Sequence, residues 1–160
     1  MPVEIERKFL VRGDAWRLAA HDAKHLRQGY LNNESRCSVR VRTSADQAWL
    51  NIKSATLGAQ RQEFEYEIPL DEAHQLLDTL SLKPLIEKVR HFVSAGPHVW
   101  EIDEFEGDNA GLVVAEIELD HPDETFDKPD WLGEEVTHDV RYYNTSLCRH
   151  PFKNWADIIS

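Results

Sequence analysis

Like charges recur two residues apart along this chain. Glu4-x-Glu6-x-Lys8 opens it, and Arg40-x-Arg42, Lys53, Glu63-x-Glu65, Lys88-x-Arg90 and Glu116-x-Glu118 follow in order. Residues two apart on an extended strand point the same way, so each pair presents two equal charges in one direction. Paired carboxylates offer the hard oxygen ligands that Mg2+ or Mn2+ takes. Paired arginines offer planar, bidentate donors, the preferred partners of phosphate oxygens. A cationic set facing an anionic set is what a metal-bound polyphosphate would require.

Acting together, these pairs must sit on strands, and the flanking residues agree. Val3, Ile5 and Phe9 alternate with Glu4, Glu6 and Lys8; Val39 and Val41 with Arg40 and Arg42; Leu50 and Ile52 with Asn51 and Lys53. Phe64, Tyr66 and Ile68 alternate with Glu63, Glu65 and Glu67 over 62–68, and Val89 and Val93 oppose Lys88, Arg90 and Phe92 over 85–93. Val113, Ala115, Ile117 and Leu119 oppose Val114, Glu116, Glu118 and Asp120. Further strands are expected at 26–32, 99–105 and near Glu135-Val136-Thr137. Asp14 is expected to cap a short helix to about residue 20, and Asp71 an amphipathic helix over 71–82 with the stripe Ala73, Leu76, Leu77 and Leu80. Asn144 is the expected cap of a short C-terminal helix, a segment that either plugs one end of the sheet or packs outside it. Segments 107–111 and 121–130 read as loops. About eight strands in hairpin-like succession predict a mostly β (α+β) chain, its antiparallel sheet closed or nearly closed with helices outside.

Two placements of the strands satisfy this alternation. Apolar faces can meet in a central core with the charges in water, the usual arrangement, since burying ions without partners costs several kcal/mol each. Alternatively, apolar faces turn outward under the helices and the charges line a cavity. The sorting of charge favours the second: Arg40, Arg42, Lys53, Lys88 and Arg90 come from strands whose charged face carries no acid, and Glu63, Glu65, Glu67, Glu116 and Glu118 from strands whose charged face carries no base. A face built only for solubility mixes signs.

Bulk properties narrow the class. The 160 residues fit one domain spanning 1–160, and a net charge of -11 argues against a nucleic-acid or anionic-membrane binder. Cys37 and Cys148 make no metal-ligand spacing, and the acidic start lacks the basic and apolar pattern of a signal peptide. A soluble cytoplasmic protein is the expectation. His74 and His91 are isolated, and Trp16, Trp49, Trp100, Trp131 and Trp155 are scattered, which reads as packing. For Glu101 and Asp103 a charged inward face and a solvated hairpin face stand level; Glu67 reads as a third tunnel acid or a rim residue.

The ordered charges, together with Trp131-Leu132-Gly133-Glu134-Glu135-Val136-Thr137, resemble the signature of the CYTH superfamily, the triphosphate tunnel metalloenzymes. The resemblance spans nearly the whole chain. It implies an eight-stranded antiparallel barrel with a charged tunnel, and divalent-metal-dependent hydrolysis of a triphosphate: inorganic tripolyphosphate first, to pyrophosphate and phosphate. ATP cyclisation, thiamine triphosphate hydrolysis and a non-catalytic polyphosphate or nucleotide sensor are the alternatives. Lys8, Arg40, Arg42, Lys53, Lys88 and Arg90 would bind substrate; Glu4, Glu6, Glu63, Glu65, Glu116 and Glu118 would hold one or two Mg2+ or Mn2+ ions. Lys8, with a pKa lowered by crowded cations, and Tyr30 are the candidate catalytic groups, and Glu135 gets no assigned chemistry. Partners are limited to the small-molecule triphosphate, with no nucleic acid and no membrane; a homodimer is left open.

Overall fold

A computed structural model describes residues 3–54 and 59–155. Nine strands are seen among them: β1 (Val3–Val11), β2 (Ala20–Tyr30), β3 (Cys37–Ser44), β4 (Gln47–Ser54), β5 (Gln60–Ile68), β6 (Ile86–Ala95), β7 (His98–Phe105), β8 (Val113–Leu119) and β9 (Leu132–Glu135). Three α-helices, α1 (Trp16–Ala19), α2 (Leu70–Thr79) and α3 (Asn144–Arg149), lie between or after them. The first eight strands close into an antiparallel ring in the order β1-β8-β7-β6-β2-β3-β4-β5, shut by pairing of β5 with β1. One edge of β1 pairs with β8 from Ile5 to Leu10; the other pairs with β5 through Val3–Ile5 and then with β9 at Phe9 and Val11. Closure leaves these eight strands no free edge along that seam.

The apolar faces point outward. Val41 and Ala48 pack under Ala73 and Leu77 of α2, with Leu76 and Ile68 at the margin. Ile5, Phe9, Ile102, Ala115 and Ile117 pack with Trp16 of α1, Trp100 and Trp131 in a second outer layer. Full burial of such side chains contributes roughly 1.5–3 kcal/mol each, so the helices that cover the barrel stabilise it from outside.

A third cluster lies inside. Ile86, Phe105 and Val114 alternate in phase with Lys88, Asp103 and Glu116, so they point into the ring, and they pack with Val136, Tyr142, Leu147 and Trp155. Between the two expected positions, the described part of the C-terminal segment, 144–155, therefore takes the plug: it seals one end of the barrel with hydrocarbon, and 156–160 lie outside the described residues.

Several boundaries differ from the sequence expectation. β2 starts at Ala20 rather than near residue 26, β9 ends where a strand near Val136 was expected, and a short 3-10 turn occupies Gly107–Asn109. α2 begins after Pro69 rather than at a capping Asp71; Pro69 sets an extended entry, and the acidic Asp71 and Glu72 fall in the first turn, where the helix dipole favours them. Asn144 is the first residue of α3, and no side-chain cap precedes it. Among the described residues no helix is long and apolar enough to cross a membrane.

Candidate active site

All eight strands of the ring contribute inward side chains to one cavity of about 240 Å³. Seven carboxylates (Glu4, Glu6, Glu63, Glu65, Glu101, Glu116 and Glu118) and six cations (Lys8, Arg40, Arg42, Lys53, Arg61 and Arg90) line it, with Tyr30, Ser38, Tyr143, Asn144 and Thr145. Ring order sorts them. β5, β1, β8 and β7 are consecutive and hold every acid; β6, β3 and β4 hold Arg90, Arg40, Arg42 and Lys53.

On the acidic side, the register sets Glu6 opposite Glu118 and Lys8 opposite Glu116. Lys8 Nζ lies 2.9 Å from Glu116 and 3.8 Å from Glu6, and Lys53 Nζ lies 3.0 Å from Glu4 and 3.4 Å from Glu63. Burial, then the neighbouring Glu116, raises the Glu6 carboxyl above its ordinary range. Burial and the neighbouring Glu63 also raise Glu4, against the pull of Lys53. Burial and the charges of Glu4, Glu63, Glu101 and Glu6 push Glu118 to about 7. Burial would raise Glu116 as well, but Lys8 and Arg90 hold it far below the usual carboxylate range. Burial and then mutual repulsion thus leave Glu4, Glu6 and Glu118 short of compensating cations, while Glu63 and Glu116 are held low, and that shortfall is the condition a hard divalent cation relieves.

The basic side is under-neutralised in a complementary way. Arg40 buries an Nε with no hydrogen-bond partner, as does Arg61 on the acidic side. Arg42 Nε donates to Gln28 Oε1 at 2.9 Å, and no carboxylate pairs with its guanidinium among the described contacts. Burial and the adjacent Arg40 and Arg90 lower Arg42 to about 9. Arg90 is gripped: Nε and Nη2 donate to Asp103 at 2.8 and 2.9 Å, and Nη1 donates to Glu101 at 2.9 Å. Buried donors without acceptors are costly, so a polyanion here would satisfy groups that the chain leaves open.

Twelve of the thirteen residues singled out from the sequence line this cavity, and Lys88 does not. Lys88 is fully buried, 2.7 Å from Asp103, and donates to Asn144 Oδ1 at 3.1 Å. Complete burial pushes its ammonium down to about 7. Asp103 is also fully buried, so its solvated-face reading is wrong. Burial opposes its ionisation, yet Arg90 and Lys88 hold the carboxyl near about 2. Glu101 lines the cavity, whereas Glu67 is exposed and does not. Lys8 is crowded by carboxylates rather than cations; they outweigh burial and raise its pKa, so the expected lowered-pKa base is not found. Burial raises Tyr30 too. Glu135 binds Arg7 at 2.6 and 2.8 Å, apart from the cavity.

Arg61, Tyr143 and Gln28 were missed. β5 begins at Gln60, so Arg61 shares the face of Glu63 and Glu65, and the absence of a base from that face does not hold. Arg61 lies 4.0 Å from Glu4 and 3.9 Å from Glu6, with its guanidinium over the Tyr143 ring. Among the described residues, His25, Glu87 and Glu106 also bring ligand atoms within 4.8 Å of one another, but all three are exposed and lie outside the cavity.

The CYTH domain matches residues 2–150. A protein from Acetivibrio thermocellus named inorganic triphosphatase is 46% identical over 157 residues, which is 98% of this chain and 100% of that protein. A second, from Nitrosomonas europaea with the same name, is 34% identical over 148 residues, covering 90% and 95%. A crystal structure of an inorganic triphosphatase superposes with a TM-score of 0.64 at 34% identity, covering 91% of this chain and 97% of that one.

Proposed function

Because this chain belongs to the CYTH domain family, we propose that it hydrolyses inorganic tripolyphosphate to pyrophosphate and phosphate with a divalent cation. The observation that carries this reading is the sorted cavity: cations with open donors on one side, mutually repelling carboxylates on the other. Two relatives at 46% and 34% identity bear the name of that activity.

The chain's own residues then do three things. Arg40, Arg42, Lys53 and Arg90 receive the phosphate oxygens and spread their charge as the terminal phosphoryl group leaves. Lys8 and Arg61, reaching from the acidic side, meet the same chain of phosphates and stay protonated beside Glu116 and Glu6. Lys88, withdrawn behind Asp103, supports Arg90 rather than touching substrate. Phosphoryl transfer asks for positioning and charge neutralisation, so no serine or cysteine nucleophile is needed. Burial and the outward apolar faces keep the donors in a low-dielectric interior, where each is stronger than in water.

The donor set fits a hard divalent ion. Glu4, Glu6, Glu63, Glu65, Glu116 and Glu118 are oxygen ligands, three of them raised by burial and by one another, and Mg2+ or Mn2+ would be held there. Held by these carboxylates, such an ion would supply charge neutralisation at the phosphates and would lower the pKa of a water there.

Incubation with Mg2+ or Mn2+ and, separately, tripolyphosphate, ATP and thiamine triphosphate tests the reading. Metal-dependent phosphate release, fastest from tripolyphosphate, is expected. Cyclic AMP as the main product, or tight binding of tripolyphosphate with no turnover, would discard it.

A further inference from the structure

Six side chains connect the two arginine-bearing strands through the plug. Arg42 Nε donates to Gln28 Oε1 at 2.9 Å, and Gln28 Nε2 donates to Asn144 Oδ1 at 3.3 Å. The same Asn144 oxygen accepts from Lys88 Nζ at 3.1 Å; Lys88 pairs with Asp103 at 2.7 Å, and Asp103 takes Arg90 through two hydrogen bonds. Gln28, Lys88 and Asp103 are fully buried. A carbonyl oxygen has two lone pairs, so Asn144 Oδ1 is filled by one donor from β2 and one from β6.

We infer that Asn144 is a positioning residue: through this chain the C-terminal plug fixes the separation of Arg42 and Arg90 across the basic wall. The inference rests on the hydrolase reading only for its kinetic consequence. β2 lies between β3 and β6, and Arg42 faces Gln28 across the β2–β3 pair while Arg90 faces Asp103 across the β6–β7 pair. Among the described contacts, none sets one arginine directly against the other. Removing the Asn144 oxygen strands two buried donors, which costs more than the bonds themselves contributed. Gln28 and Lys88 must then turn to other acceptors; Arg42 loses the fixed orientation of its Gln28 partner, and Asp103, still bound to Arg90, loses the fixed position of Lys88. Tyr143, its neighbour in the chain, sits over Lys8 and Arg61 at 5.6 and 5.5 Å, so consecutive plug residues touch both walls.

Asn144→Ala tests this, with Gln28→Met cutting the same chain at a residue that does not line the cavity. The first readout needs no turnover: the Nε–Hε NMR signals of Arg42 and Arg90, assigned by their loss in Arg42→Lys and Arg90→Lys. In Asn144→Ala both should move or broaden, while surface Arg17 stays put; both unmoved would overturn the inference. The second is tripolyphosphate hydrolysis per folded molecule. Each single variant should lower kcat about tenfold with KM within about threefold, as loss of aligned charge in the transition state requires. The double variant should be no worse than the weaker single, because one chain can be cut only once. Multiplied losses, or a loss confined to KM, would overturn it. Should Asn144→Ala fail to fold, Gln28→Met alone carries both readouts. If the wild type hydrolyses no triphosphate while the arginine signals still respond, the hydrolase reading falls and the positioning stands.

Discussion

The inward faces of single strands carry ions in one half of the barrel and hydrocarbon in the other. Along β8 Glu116 and Glu118 give way to Val114, along β6 Arg90 and Lys88 to Ile86, along β7 Asp103 to Phe105. Where hydrocarbon begins, Leu147, Tyr142 and Trp155 pack onto it and close the end. Where ions begin, the cavity opens. The two halves obey different rules. The sealed half stabilises the fold and can be judged by area; the ionic half is held by pairs whose desolvation cost roughly cancels their attraction. Those pairs therefore add little net stability, which is drawn from the apolar half instead.

That contrast can be broken experimentally, most sharply at the ionic half. Arg42→Ala and Lys8→Ala should each cut tripolyphosphate turnover by about a hundredfold or more, the cost of losing a charged donor to a developing oxyanion. Arg42→Ala also removes a cation crowded by Arg40 and Arg90, so its melting temperature should hold within about 5 °C. A collapse of stability would show that the arginine is structural.

At the sealed half the effects should exchange places. Leu147→Ala, emptying a fully buried site in the plug, should cost about 2–5 kcal/mol in chemical denaturation. Turnover per folded molecule should change far less than for Arg42→Ala. Equal losses of turnover in the two variants would erase the distinction between the halves.

Glu118→Gln falls between. It should raise the Mg2+ or Mn2+ concentration needed for half-maximal activity about tenfold, through loss of one charged oxygen ligand. Unchanged metal dependence would remove Glu118 from the ligand set.

The smallest effect is on stability against pH without metal. The folded Glu118 carboxyl titrates at about 7 against an ordinary 4.5, so the folded state holds a proton that the unfolded chain releases. Stability from this group therefore declines as pH rises from about 4.5 to 7 and stays low above that. Denaturation in EDTA should show this fall, a divalent ion should flatten it by taking the proton's place, and Glu118→Gln should reduce it, leaving the part that the raised Glu4 and Glu6 contribute. Asp103 has the opposite sign: its stabilisation is present above 3.8 and lost as pH falls toward about 2.

Alternation made legible which residues share a face, and the sorting of charge by strand decided between a wet interior and a greasy one. Neither carried information on depth. Lys88 and Arg90 share a face, yet Arg90 touches the cavity and Lys88 is buried at the transition to the apolar floor. Asp103 alternates just as a solvated hairpin residue does, and only the two cations pressed against it reveal its burial. Arg61 was hidden by a strand start placed two residues late. Tyr143 and Asn144 belong to a segment without periodicity, and their role follows from where the chain returns in space.

β1 is the first of these strands to be made, and it finds its partners among strands made later, two of them near the far end of the chain: β5, β8 and β9. It carries Glu4, Glu6 and Lys8 into the cavity. Until β8 has emerged from the ribosome these three side chains have no wall to complete, and the ring stays unzipped along its oldest edge. Such long-range closure is slow. The acidic wall is thereby completed later than the basic strands β3 and β4.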